Sequence, residues 1–130
     1  MEEILNYEKL REIIADKKLF LLYISSPSCS VCKADFPKIK EIAERENRKS
    51  YKIDATKVKK AVGQLSLFSV PAVLLFYEKK EIHRQARIID FEELKFRIEQ
   101  IKLIFKFLPV DITFVDENDL VRFYNDTKHR

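Results

Sequence analysis

The 130-residue chain is 46% hydrophobic and 35% charged, with one Gly and four Pro, a composition that fits one compact globular domain with no disorder expected outside the ends. Its net charge of +4 comes from 25 basic and 21 acidic residues that are interspersed along the chain, so there is no concentrated basic patch and nucleic acid is not an expected partner. Two cysteines cannot staple a small secreted scaffold, Met1 to Asn6 carries no basic-then-apolar leader, and the longest apolar run, Leu19 to Ile24, falls far short of the roughly 20 residues that span a bilayer; a cytoplasmic protein with no membrane segment is expected.

From Glu2 to Asp16, the residues Tyr7, Leu10, Ile13 and Ile14 recur at helical spacing among Glu, Lys and Arg, which predicts an amphipathic first helix. Leu19 to Ile24 is apolar at every position, as expected of a strand covered on both faces. It leads into Ser26-Pro27-Ser28-Cys29-Ser30-Val31-Cys32-Lys33, which holds both cysteines of the chain. By spacing alone this Cys-x-x-Cys is a thiol-disulfide site, half a zinc site or a structural disulfide.

Beyond Cys29, the positions Cys32, Phe36, Ile39, Ile42 and Ala43 form the apolar stripe of a second helix, interrupted by Pro37 and closed by Glu44 to Ser50. Tyr51 to Asp54 reads as a short strand, Thr56 as an N-cap, and Lys57 to Gln64 as a short helix that Gly63 helps to end. Pro71 to Tyr77 is a second buried strand, and Glu78 to Glu81 turns it into Ile82 to Ile89, where apolar Ile82, Ala86 and Ile88 alternate with polar residues as suits an edge strand. Asp90 and Glu93 form a capping-box pattern for a last helix that runs to about Phe107. The order is αβαβαββα. The last helix has a core stripe that includes Phe91, Leu94, Ile98 and Ile101, and a second apolar side of Phe96, Leu103 and Phe107. Asp111 to Val115 and Leu120 to Tyr124 resemble the two strands of a β-hairpin.

Three features occur in order: Cys29-Ser30-Val31-Cys32 after a buried strand and at the start of a helix, Pro37 within that helix, and Val70-Pro71 opening the next central strand. Together they resemble the thioredoxin family, over roughly residues 2 to 107. The resemblance implies an α/β, thioredoxin-like fold, with a central mixed sheet flanked by helices, to which the residue pattern beyond it adds a C-terminal β-hairpin extension. The corresponding organisation is a domain over residues 1–108 and an extension over 109–130 that is not an independent domain. It also implies thiol-disulfide exchange by Cys29 as nucleophile and Cys32 as resolving cysteine, with no cofactor and no metal. The chemistry suits these positions. A thiolate is the attacking species, and unpaired N–H groups at a helix N-terminus stabilise it. By the same resemblance Pro71 is expected to be cis, and Val70, Pro71 and Ser28 to receive an extended substrate peptide. The implied partners are disulfide-containing proteins and an upstream thiol reductant such as a thioredoxin reductase.

Against zinc stands the four-ligand habit of structural sites, since the only histidines are His83 and His129. Against a structural disulfide stands the small loop that it would close. The chain also departs from the thioredoxin pattern. Ser28 stands where Trp precedes the first cysteine, Ser30-Val31 replaces Gly-Pro, Tyr23 occupies the position of a buried Asp, and that Asp's lysine partner maps near Ser50. A phenol with a reference pKa near 10 is no base at neutral pH. Residues 108–119 resemble the opening hairpin of PAS-type sensor domains. The hairpin and the last helix offer a homodimer surface, so the alternative function is a redox-sensing or protein-interaction module built on the same scaffold.

Overall fold

A computed structural model describes residues 1–45 and 49–107, excepting the side chains of 104–107. The hairpin expected over 109–130 lies outside the described residues. The described elements are β1 (Glu2–Glu3), α1 (Tyr7–Asp16), β2 (Leu19–Ser25), α2 (Ser30–Arg45), β3 (Lys49–Asp54), α3 (Lys59–Gln64), β4 (Ala72–Tyr77), β5 (Lys80–Ala86) and α4 (Phe91–Phe107). They fall into two compact units that divide after Phe91.

In the first unit the five strands form one mixed sheet, in the order β1-β3-β2-β4-β5. β1 and β2 run parallel to β3, whereas β4 is antiparallel to both β2 and β5. The unbroken apolar run Leu19 to Ile24 therefore occupies the middle of the sheet, where both faces must be covered. On one face Phe20, Leu22 and Ile24 join Ile53, Leu74 and Phe76 beneath Leu10 and Ile13 of α1 and Ala61 of α3. The Phe20 ring stacks on Phe76 at 5.0 Å and meets Tyr51 edge-on at 5.6 Å. The alternate positions of β2, Leu21 and Tyr23, are equally buried on the opposite face. There α2 lies against β2, and the Tyr23 ring sits 6.0 Å from Phe36.

Several local expectations need correction. The predicted first helix is split: Glu2 and Glu3 pair with Tyr51 and Lys52 as a short edge strand, and Asn6 then caps α1 by accepting the Lys9 N–H at 2.8 Å. Thr56 is not an N-cap, because its N–H and hydroxyl both donate to Asp54 Oδ1, in a turn that precedes α3. Those bonds, the hydroxyl first, hold the Asp54 carboxyl below its usual pKa. Gly63 lies inside α3, and Ser66 takes the left-handed conformation just past its end, with φ 53°.

The simple alternation read over β5 is also broken. Leu75 pairs with His83 but Phe76 pairs with Glu81, so Ile82 is an inserted residue that shifts the strand's parity. Gln85 is consequently buried, whereas Ala86 and Ile88 are exposed and Ile89 turns inward. The Gln85 side chain accepts the Asp90 N–H and donates to the Asp90 carbonyl, which satisfies a buried amide. The β4–β5 loop is a two-residue turn with both central residues left-handed, Glu78 at φ 48° and Lys79 at φ 73°. Within α4, in the second unit, Leu94 and Ile98 are buried one turn apart, and Phe96 and Leu103 are exposed.

Candidate active site: a disulfide at the start of α2

Cys29 and Cys32 form a disulfide, with their Cα atoms 5.2 Å apart. β2 ends at Ser25, and a turn closed by the Cys29 N–H on the Ser26 carbonyl at 3.2 Å delivers the chain to α2. The Lys33 N–H donates to the Cys29 carbonyl at 3.3 Å, the first bond of the helix, which makes Cys29 the N-cap. Its side chain behaves like a cap as well, because the Cys32 N–H donates to Cys29 Sγ at 3.1 Å. Partial positive charge at the helix end thus converges on Cys29, which is partly exposed, whereas Cys32 is buried.

Beneath the pair lies Tyr23 of β2. Its hydroxyl donates to the Cys32 carbonyl at 2.8 Å, a buried bond that ties the central strand to the first turn of α2. Burial, with a smaller contribution from the Asp35 carboxylate, pushes the phenol up to about 12. Tyr23 is therefore a donor to backbone and holds its proton at neutral pH. Lys33 and Val31 are exposed beside the cysteines.

Facing Cys29 is the loop that enters β4. The Val70–Pro71 peptide is cis, and Pro71 is buried while Val70 is half-buried. An open groove of about 720 Å³ is bounded by Ser28, Cys29 and Val31, by Val70 and Pro71, and by a third wall that includes Arg87. The structure thus brings together four of the five residues singled out in the sequence, with Cys32 lying below as the partner of Cys29. Sequence reasoning missed the third wall, Ala86-Arg87-Ile88. No glycine or asparagine marks a turn there, although Arg87 has φ 71°.

Arg84 braces the loop ahead of this wall. Its guanidinium makes a two-pronged pair with Glu81, at 2.7 and 2.8 Å, and also donates to the carbonyls of Leu65 and Ser66. One side chain thereby joins β5 to the start of the loop that carries Pro71. Among the described residues there is no cluster of His, Cys, Asp or Glu suited to a metal ion, and no helix long and apolar enough to cross a membrane.

The thioredoxin family model matches residues 2–103. The chain belongs to the thioredoxin family. It is 32% identical over 98 residues to the thioredoxin-like protein YdfQ of Bacillus subtilis, covering 75% of this chain and 88% of that relative. Solved structures with the same fold include Plasmodium falciparum thioredoxin, with TM-score 0.71, 17% identity, and coverage of 77% of this chain and 98% of the other. Fasciola hepatica thioredoxin is similar at TM-score 0.70 and 18% identity, over 77% and 98% of the two chains. Family membership and a Cys-x-x-Cys pair at disulfide distance make this protein a thiol-disulfide oxidoreductase in general class.

Proposed function

We propose that the protein reduces disulfides of other proteins by dithiol exchange. The observation that carries this reading is the placement of Cys29 Sγ, partly exposed at the N-cap of α2 and bonded to the Cys32 N–H, above a buried Cys32. In the reduced protein the Cys29 thiolate attacks one sulfur of the substrate disulfide. That S–S bond breaks, a mixed disulfide forms, and the first substrate thiolate leaves. Cys32 then loses its proton and attacks Cys29 Sγ, which releases the second substrate thiolate and leaves the Cys29–Cys32 disulfide. Two electrons have passed to the substrate, and an upstream dithiol donor such as a thioredoxin reductase restores them.

Ser28, Val70 and Pro71 form the adjoining receptor for an extended substrate segment. Tyr23 does not take the Cys32 proton, since its own phenol stays protonated far above neutral pH. That proton passes to solvent or to a departing thiolate.

Reductant-coupled insulin reduction tests the assignment. Cys29→Ser is expected to abolish turnover, and Cys32→Ser to accumulate a mixed disulfide visible by mass spectrometry. Full turnover by Cys29→Ser would overturn the role of the nucleophile. In the reduced wild type, the rate of iodoacetamide alkylation is expected to follow a Cys29 pKa below the free-thiol value of about 8.5. Titration at or above that value would remove the helix-terminus argument.

A further inference from the structure

The third wall of the groove is built in an uncommon way. The Ile88 N–H donates to the Ala86 carbonyl at 2.9 Å, and Arg87 between them has φ 71°. This is the positive-φ form of the γ-turn, a rare and strained conformation for a residue with a Cβ. The Arg87 N–H donates to the Pro71 carbonyl at 2.8 Å, which fixes the turn to the loop opposite Cys29. Glycine would adopt this backbone without cost, yet the chain holds an arginine there.

Charge and surface give that arginine a use. Arg87 is the one charged residue lining the groove, and among the described residues its guanidinium has no ion pair or hydrogen bond of its own. The surrounding wall is apolar and open, with Ile88 87% and Val31 50% exposed. An extended peptide across Cys29 would meet small polar and apolar surface on both sides and a single unneutralised cation at one edge.

We propose that Arg87 is a specificity-determining residue that selects disulfide-bearing protein segments with a carboxylate side chain close to the reactive cysteine. This rests on the reductase reading for the chemistry, but the recognition itself is a matter of charge complementarity at the groove. A guanidinium at the edge of the groove that holds Cys29 takes a carboxylate in a charge-assisted pair and favours acidic segments over neutral ones.

The test compares two peptide disulfides of the same sequence, one with Glu flanking the cysteine and one with Gln. For the wild type at low ionic strength, kcat/KM is expected to favour the Glu peptide by about three- to fivefold, the range of one partly exposed charge pair. Arg87→Gln should bring the ratio to one, Arg87→Lys should restore a preference, and half-molar salt should suppress the wild-type preference. An unchanged ratio in Arg87→Gln, or a wild-type ratio of one at low salt, overturns the proposal. A second measurement separates recognition from chemistry: titration of the oxidised protein with the same peptides carrying Ser for Cys, followed by NMR shifts. If neither disulfide peptide is reduced, the reductase reading falls. Tighter binding of the Glu peptide than of the Gln peptide, lost in Arg87→Gln, would still support the role of Arg87, and equal binding would overturn it.

Discussion

Cys29 and Cys32 differ in their surroundings more than their shared motif suggests. One is a partly exposed N-cap with an N–H on its sulfur, and the other is buried with its carbonyl held by Tyr23. The motif and the preceding apolar run made the first of these legible in the sequence, because a helix start after a buried strand places a cap residue predictably. The Tyr23 bond was not legible, since it depends on which carbonyl of α2 faces β2. It has a pH signature. Tyr23 is held neutral up to about 12, so its contribution is complete below the unfolded-state value near 10 and is lost as pH rises through 12. Tyr23→Phe is expected to be less stable than wild type by about 1 kcal/mol at pH 8, where a buried hydrogen bond is lost. At pH 11.5 the order should reverse, since only the wild type bears the ionisation penalty, about 2 kcal/mol at that pH. Urea unfolding at the two pH values checks this, and a constant difference would refute it. Tyr51, also raised chiefly by burial, is common to both proteins and cancels.

Among the elements, long runs were readable and short or irregular ones were not. β2, α2 and β4 follow from continuous apolar runs and a helical stripe. β1 escaped because two glutamates ahead of Tyr7 continue a helical pattern, and only pairing with β3 makes them a strand. The wall at Arg87 escaped because Ala86-Arg87-Ile88 has the composition of an ordinary strand end. The β4–β5 turn illustrates the same difficulty. Its two left-handed residues are Glu78 and Lys79, where Asn-Gly is the preferred pair. The Glu78 N–H donates to the Lys18 carbonyl at 2.8 Å, a bond that a replacement would retain. Replacing the pair together, Glu78→Asn with Lys79→Gly, should stabilise the protein by about 1 to 2 kcal/mol. A urea midpoint at or below that of the wild type would contradict this account of the turn.

At the level of the molecule, the alternation of helices and strands and the cysteine–proline order were enough to indicate the family that the comparisons show. What they could not give is the parity of the last strand, because one extra residue in β5 leaves no mark on composition. That insertion at Ile82 has a consequence for how copies of the protein behave in concentrated solution. An outer strand with regular unpaired amides is a template on which a neighbour can add, and β5 is interrupted by the bulge and carries Lys80, Glu81 and Arg84 along its length. At the far side of the sheet β1 offers only two residues. Among the described strands, both margins are thus poor nuclei for cross-β growth. Deleting Ile82 should straighten β5 and raise light scattering during prolonged incubation at high concentration, whereas an unchanged scattering trace would place the protection elsewhere. On that expectation the irregularity that breaks the strand's alternation is a guard against fibril formation.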